Sequence, residues 1–302
     1  MTVSVRCNAK INLYLRVLGK RDDGFHDLVS VMQSIGLTDT LTVEETDSDC
    51  IEITCSNPDV PVDESNLVWK AAKVVAEKSG HSPYGLKFHI EKSIPMMGGL
   101  AGGSSNAAGT LVALRELWKL DLEDGDLIDL AADIGSDVPF CVLGGTTIVR
   151  GRGDILEPLT AGIATSRNPG VFIIAAPPIE ISTRDAYIEL DSLREKAGGE
   201  IPEVPDHDAF RNIWMDAILN GTFNMMFMND FEDVVLGMNP WLKEVHTAMR
   251  NEVGQALLTG SGAAIFAWLP DMESAQAVIG RYEPVAGEVL ITALPCANGI
   301  EK

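Results

Sequence analysis

The sequence has few basic residues, few cysteines and no long hydrophobic run, and each shortage argues against a class of protein. Only 23 of its 302 residues are Lys or Arg, against 44 Asp or Glu, which gives a formal net charge of −21. Clustered cations drive binding to nucleic acids and to anionic lipids, so we expect neither nucleic acid nor a membrane as a partner. No segment approaches the roughly 20 apolar residues of a membrane-spanning helix, and residues 1–15 lack the apolar core of a secretion signal. We therefore expect a cytoplasmic protein.

The five cysteines predict neither a disulfide framework nor a zinc centre. Their spacing is irregular and contains no C-x-x-C pair, whereas zinc sites need paired Cys or His ligands. We expect buried or half-buried free thiols, two of them in a predicted strand. The cysteines are Cys7, Cys50, Cys55, Cys141 and Cys296.

The length of the chain allows two domains, and its patterns mix strands with helices. Alternating apolar and polar residues predict strands at 10–17 and 86–90, and the pattern at 146–159 predicts a hairpin around a glycine turn. Residues 194–207 lack an apolar period and predict a mobile surface loop. The irregular stretch 160–170 is typical of a domain boundary.

These elements predict an α+β fold of two domains, one over residues 1–158 and the other over residues 159–302.

The most informative segment is a glycine-dense loop between a predicted strand and a predicted helix. Residues 98–103 contain four glycines in six positions, and Ser104, Ser105 and Asn106 follow. Glycines allow close approach to a ligand, and the start of a helix presents unpaired N–H groups, so the segment suits a polyphosphate. A tight turn whose serines only cap the helix is the alternative.

Two common phosphate loops do not fit this segment. A Walker A loop needs a lysine after its last glycine, but Gly103 is followed by Ser104. The dinucleotide-binding fingerprint needs a second glycine at the position of Leu100. A different kind of phosphate loop is therefore required.

Three separated segments resemble the motifs of the superfamily of galactokinase, homoserine kinase, mevalonate kinase and phosphomevalonate kinase, the GHMP kinases. Residues 8–13 resemble its first motif, residues 95–106 its phosphate loop and residues 258–264 its third motif, a glycine turn. The resemblance implies an ATP-dependent kinase of two domains. The N-terminal domain would resemble domain 2 of ribosomal protein S5, and the C-terminal domain would be ferredoxin-like.

Finer features are similar to the family within this superfamily that phosphorylates the 2-hydroxyl of 4-diphosphocytidyl-2-C-methyl-D-erythritol, on the non-mevalonate route to isoprenoids. The chain departs from that family at Ala101, where glycine is usual, and at Phe25, where tyrosine is common. The similar segments are residues 9–15, 23–28, 135–140, 151–159 and 229–232.

The resemblance implies that Lys10 and Asp137 form the catalytic pair. Asp137 would accept the proton of the hydroxyl or orient it, and Lys10 would face the developing negative charge. From the residues alone, Asp137 is equally typical of a helix cap and Lys10 of an ordinary charge on a strand.

The resemblance also implies the ATP-binding residues, most of them in the glycine loop. Asn66 matches a position near adenine but is also a candidate N-cap of the following helix. The implied set is Asn66, Pro95, Met96, Met97, Gly98, Gly99, Leu100, Ala101, Gly102, Gly103, Ser104 and Ser105.

For the substrate, the resemblance implies a cytidine diphosphate pocket. Phe25 and Tyr187 would stack on the cytosine, His26 would read its edge, and Asn12 would touch the methylerythritol end. The alternatives are a core role for Tyr187, an unimportant loop position for His26 and a turn or capping role for Asn12.

Mg²⁺ is expected with ATP, although no carboxylate can be assigned to it, and the chain is expected to be a monomer or a homodimer. Two other functions stay open. One is a small-molecule GHMP kinase of the mevalonate or homoserine type, and the other is a non-catalytic nucleotide-binding protein on this fold.

Overall fold

The computed structural model describes residues 1–302 and contains two β-sheets with nine α-helices packed against them. The predicted α+β fold class is confirmed. None of the helices combines the length and the apolar composition that crossing a bilayer requires. The strands are β1 (Thr2–Lys20), β2 (His26–Glu45), β3 (Ile51–Cys55), β4 (Leu86–Glu91), β5 (Thr146–Gly151), β6 (Ile155–Pro158), β7 (Val171–Ala176), β8 (Met228–Asn229), β9 (Leu257–Leu258), β10 (Ile265–Leu269), β11 (Val289–Ala293) and β12 (Ile300–Glu301).

The helices lie in both halves of the chain, and two short 3-10 helices occupy Ile163–Thr165 and Phe223–Met226. The α-helices are α1 (Leu67–Ser79), α2 (Gly102–Leu117), α3 (Asp124–Ala132), α4 (Val138–Leu143), α5 (Thr183–Lys196), α6 (His207–Asn220), α7 (Glu232–Met238), α8 (Pro240–Val253) and α9 (Met272–Ile279).

The larger sheet has eight strands in the order β12-β1-β2-β4-β3, with the β5–β6 hairpin on β2 and the short β8 beside β1. The smaller sheet has the antiparallel order β11-β7-β10-β9. Two elements from the second half of the chain, β8 and β12, therefore return to the sheet of the first half. A domain boundary at residue 158 stays a prediction, because the ends of the chain share one sheet.

The long strand β1 connects the hydrophobic cores with the functional site. Its odd positions, from Val5 to Val17, are all buried and apolar, and they contribute in turn to three successive hydrophobic clusters. Its even positions include Asn8, Lys10 and Asn12, which are buried although they are polar. Alternate side chains of a strand point to opposite faces, so the apolar stripe fixes the polar stripe on the other side of β1.

The structure corrects the loop predicted at residues 194–207 at its two ends, because His207 begins α6, whereas residues 197–206 form no helix or strand. Residues 194–196 belong to α5, and the guanidinium of Arg194 donates to the Val17 carbonyl at 2.7 Å and to the Asp230 carboxylate at 2.7 Å. The helix signal was missed because only Ala186 and Leu190 are buried along α5. Arg194 therefore anchors the end of α5 to β1.

The five cysteines are all free, but they differ in exposure. Cys7 and Cys141 are buried and Cys55 and Cys296 are half-buried, whereas Cys50 is exposed and lies just outside β3. The prediction of a buried or half-buried thiol is therefore wrong for Cys50. Burial raises the pKa of Cys7 to about 12 and holds the pKa of Cys141 well above its usual value.

We expect Cys50 to react fastest with a thiol-specific chromogenic reagent in the native protein. A raised pKa lowers the thiolate fraction and burial blocks access, so Cys7 and Cys141 should react only after unfolding. Mass spectrometry of the labelled peptides identifies the order of reaction. Rapid native labelling of Cys7 would contradict the packing described here.

Candidate active site

The glycine-dense loop connects β4 to α2 and opens the start of that helix. Met97, Gly99 and Ala101 have φ angles of 58°, 71° and 58°, in the left-handed region that favours glycine. Ala101 is the N-cap of α2 and makes no side-chain capping hydrogen bond. The N–H groups at the start of α2 are therefore not capped by a side chain and can bind an anion.

The three polar residues that begin α2 have different partners. The Ser105 hydroxyl is buried and donates to the Asn8 carbonyl at 2.8 Å, and the Asn106 amide donates to the Asp39 carboxylate at 2.9 Å. Both side chains therefore hold the helix in place. Of the two serines in the expected ATP-binding set, Ser104 lines a cavity, whereas the hydroxyl of Ser105 is committed within the protein.

Asp39 fixes the beginning of the loop, although sequence reasoning did not single it out. Its fully buried carboxylate accepts the Lys92 ammonium at 2.7 Å and the backbone N–H groups of Ser93 and Ile94 at 2.7 and 2.8 Å. Each oxygen is thus satisfied, as a buried carboxylate requires. Asp39 is the second residue of an ordinary Thr-Asp-Thr segment in the sequence, so no local signal could have identified it.

The glycine turn after β9 packs directly on the loop. The Ala264 N–H donates to the Gly98 carbonyl at 3.0 Å, and the Ala263 N–H donates to the Met97 carbonyl at 3.3 Å. A Cβ atom on Gly99 would lie 2.5 Å from the Thr259 carbonyl oxygen. The loop and the turn are therefore in backbone contact, and only glycine fits between them.

Lys10 lies at the centre of these elements, with its side chain only 4% exposed. Its ammonium donates to Asn12 Oδ1 at 2.7 Å and lies 3.5 Å from Asp137 Oδ2. Asp137 occupies the N-cap position of α4, as the residues alone suggested, but its side chain makes no capping hydrogen bond and faces Lys10 instead. The structure brings Lys10 and Asp137 together, 127 positions apart in the sequence.

The side chain of Asn12 is hydrogen-bonded within the protein, and Asn12 also lines the larger of the cavities described below. Its amide donates to Ser30 Oγ at 2.9 Å, and its carbonyl accepts the Lys10 ammonium. The Asn12 backbone N–H also donates to Thr259 Oγ1 at 3.0 Å. Asn12 lies mid-strand, so neither a turn nor a cap explains it, and its side chain orients Lys10.

Two cavities meet beside Asp137. The smaller, of about 390 Å³, runs along the glycine loop past Asn66, and the larger, of about 790 Å³, extends to Phe25, His26 and Tyr187. Asp137, Gly99 and Ser104 line both cavities. Ligands in the two cavities would therefore approach each other at the Asp137 carboxylate.

At the end of the smaller cavity, Asn66 acts as the N-cap of α1. Its Oδ1 accepts the Val68 N–H at 2.9 Å, and its Nδ2 donates to the Pro61 carbonyl at 2.6 Å. The capping alternative for Asn66 is confirmed, and its side chain forms part of the cavity wall with its polar atoms already paired.

The far end of the larger cavity contains four aromatic rings, those of Phe25, His26, Tyr187 and Phe231. Phe25 is 53% exposed, and the Arg152 guanidinium lies 5.1 Å from the centre of its ring. Tyr187 stacks on His26 with the ring centres 4.6 Å apart and the planes at 28°, and Phe231 meets Tyr187 edge-on. His26 therefore covers one face of Tyr187, whereas the ring of Phe25 is more than half exposed even with Arg152 beside it.

The Tyr187 hydroxyl is held in its neutral form. Burial, with contributions from the nearby carboxylates of Asp137 and Asp191, raises the pKa of Tyr187 to about 12. A tyrosine is already neutral at physiological pH, so the raised pKa only extends the neutral state of Tyr187 to more alkaline pH.

The larger cavity concentrates positive charge in an acidic chain. Four cations line it, against the two carboxylates of Asp137 and Asp191. A cavity with this balance attracts anionic ligands even though the net charge of the protein is −21. The four cations are Lys10, Lys20, Arg152 and Arg184.

Comparison with known proteins identifies domains of the GHMP kinases in both halves of the chain. The profile described as GHMP kinases N terminal domain matches residues 66–145, and that described as GHMP kinases C terminal matches residues 211–283. Among solved structures, a homoserine kinase from Cytophaga hutchinsonii has a TM-score of 0.71 at 18% identity, covering 99% of this chain and 96% of its own. That likeness shows the fold alone.

Relatives with higher sequence identity to this chain share a single name. The 4-diphosphocytidyl-2-C-methyl-D-erythritol kinase of Exiguobacterium sibiricum is 38% identical over 298 residues, covering 97% of this chain and 98% of its own. The kinase of that name from a Synechococcus species is 39% identical, and the alignment covers 88% of this chain and 85% of the relative. A crystal structure of a 4-(cytidine 5'-diphospho)-2C-methyl-D-erythritol kinase has a TM-score of 0.77 at 28% identity, and the match covers 97% of this chain and 100% of the other. The chain therefore belongs to the family of 4-diphosphocytidyl-2-C-methyl-D-erythritol kinases.

We expect Gly99→Ala to destabilise the protein by about 2 kcal/mol or more, because the new methyl group would overlap the Thr259 carbonyl at a positive φ. Equilibrium unfolding in urea measures the change. Gly125→Ala is the matched control, since a Cβ at Gly125 meets nothing within 4 Å. Equal stabilities of the two variants would contradict the contact between loop and turn.

Proposed function

We propose that the protein transfers the γ-phosphoryl group of ATP to the 2-hydroxyl of 4-diphosphocytidyl-2-C-methyl-D-erythritol, giving the 2-phosphate and ADP on the non-mevalonate route to isoprenoids. The observation that carries the proposal is the meeting of two cavities at Asp137, one along the glycine loop and one lined by cations and aromatic rings. The names of the relatives support the choice of substrate.

The glycine loop holds the triphosphate of ATP. Uncapped N–H groups at the start of α2, together with the positive end of its dipole, bind phosphate oxygens without any lysine in the loop. These N–H groups belong to Gly102, Gly103 and Ser104. The adenine lies in the part of the smaller cavity that is next to Asn66.

Lys10 and Asp137 act on the acceptor alcohol. Asp137 orients the hydroxyl and takes its proton as the new P–O bond forms. The ammonium of Lys10 faces the charge that develops on the transferred group. Phosphoryl transfer needs mainly such positioning and electrostatic stabilisation from the protein.

The larger cavity holds the cytidine diphosphate part of the substrate. The open ring of Phe25 offers a stacking surface for the base, and His26 lies beside it to read the base edge. Arg152 and Arg184 neutralise the diphosphate. The substrate thus spans the cavity from Phe25 to Asp137.

Mg²⁺ would accompany ATP in this proposal and would offset the charge of its phosphates. The structure contains no cluster of three or more metal-ligating side chains. This fits Mg²⁺, which usually takes one or two carboxylates and otherwise keeps phosphate oxygens and water. The hydroxyl of Ser104, which lines both cavities, would be one of its ligands.

The cytoplasm is the proposed location, because all five thiols are free, as is usual in a reducing compartment. A monomer or a homodimer remains the expected state.

A coupled assay of ADP release tests the proposed function against its alternatives. We expect turnover with 4-diphosphocytidyl-2-C-methyl-D-erythritol, and at least a hundredfold lower kcat/KM with mevalonate or homoserine, which cannot use the base pocket. CDP, unlike AMP, should compete with the substrate. Preference for mevalonate or homoserine would contradict the proposed substrate, and no turnover with any of the three would favour a non-catalytic protein.

A further inference from the structure

His26 is held from two sides by residues of α5. Its Nε2 atom lies 2.9 and 3.1 Å from the two carboxylate oxygens of Asp191, and its ring rests on Tyr187. The side chain of His26 is 8% exposed and that of Asp191 is 30% exposed. Both the plane and the rotation of the imidazole are therefore fixed.

The helix that carries Asp191 is itself anchored. Ser182 caps its beginning by accepting the Asp185 N–H at 3.2 Å, and Arg194 ties its last turn to β1 and Asp230. Asp191 follows Tyr187 by four residues, so both side chains lie on the same face of α5. Helix α5 therefore holds both the ring of Tyr187 and the carboxylate of Asp191 against His26.

The contact with Asp191 decides which imidazole nitrogen carries the proton. A carboxylate can only accept hydrogen bonds, and a neutral imidazole has one N–H and one lone pair. The proton therefore belongs on Nε2 and the lone pair on Nδ1. Nδ1 has no partner within the protein and is not among the polar atoms sealed from solvent, so it can accept from a ligand in the larger cavity.

We propose that Asp191 is a positioning residue that makes His26 a hydrogen-bond acceptor and thereby selects cytosine over uracil. The proposal rests on the proposed function, since it assumes a pyrimidine beside His26. Cytosine presents an exocyclic amine that donates to Nδ1, whereas uracil presents a carbonyl oxygen at the same position. Two lone pairs would then face each other, and a buried acceptor would stay unpaired.

A purely structural role for the His26–Asp191 contact makes a different prediction. If the contact only ties α5 to β2, its loss should weaken all nucleotides in the cavity by the same factor. Only a role in setting the tautomer changes the ratio of affinities for cytidine and uridine nucleotides. The ratio of the two affinities therefore distinguishes a role in setting the tautomer from a purely structural role.

The test compares CDP and UDP binding to the full-length protein by calorimetry, with ADP present to fill the cavity along the glycine loop. Asp191→Asn keeps the shape of the side chain, but its amide can donate to Nε2 as well as accept from it, so both tautomers become accessible. Asp185→Asn removes the same charge from the same helix outside the cavity and serves as the matched control.

We expect the wild-type protein to bind CDP about tenfold or more tighter than UDP, in line with one buried hydrogen bond gained or left unmade. Asp191→Asn should reduce this preference to less than about threefold by weakening CDP and strengthening UDP. Asp185→Asn should keep the wild-type ratio. Equal losses of both nucleotides in Asp191→Asn would overturn the proposal and leave the proposed function intact.

Two further outcomes are distinguishable from these. A wild-type protein without preference for CDP would contradict the cytidine pocket of the proposed function itself. If Asp191→Asn does not fold, ¹⁵N NMR of the wild-type His26 ring decides the question. A protonated Nε2 with an unprotonated Nδ1 supports the proposal, and a protonated Nδ1 overturns it.

Discussion

The buried ammonium of Lys10 is the constraint on which the site depends. A charge withdrawn from water is costly unless it is paired and hydrogen-bonded, and Lys10 has the carbonyl of Asn12 and the carboxylate of Asp137 as partners. Those partners require β1 and the start of α4 to meet at one point. The glycine turn after β9 also lies against Lys10. A Cβ atom added to Gly260 would be 3.6 Å from the Lys10 ammonium.

The same constraint explains how an acidic protein can accept two anionic ligands. Of its carboxylates, only those of Asp137 and Asp191 line the larger cavity. Asp137 is paired with the Lys10 ammonium, and Asp191 accepts a hydrogen bond from His26. Of the remaining cations, Arg184 makes no ion pair, and the one ion pair of Arg152, with Asp154 at 3.7 Å, is exposed to solvent, so both can turn to phosphate groups. The site is thus locally cationic although the whole surface is not.

Local patterns predicted the parts of this site, but not their connections. The alternation along β1 and the glycines of the loop are visible because each depends on neighbouring residues. The hydrogen bond from Lys10 to Asn12 was not predicted, since a polar stripe shows that side chains share a face but not which partners they meet. The contact between His26 and Asp191 joins positions 165 residues apart and depends on α5, whose few apolar residues give a weak helical signal. Spacing along the chain carries no information about such pairs.

A double-mutant cycle on the turnover number tests most directly whether Lys10 and Asp137 act as one unit. The variants are Lys10→Met, Asp137→Asn and their combination, measured with both substrates saturating. We predict that each single change lowers kcat by about a hundredfold or more, and that the combination is at most a few-fold slower than the slower single variant. If the decrease in kcat of the double variant equals the product of the two single decreases, the residues act independently and the account is contradicted. A double variant with wild-type kcat would also contradict it.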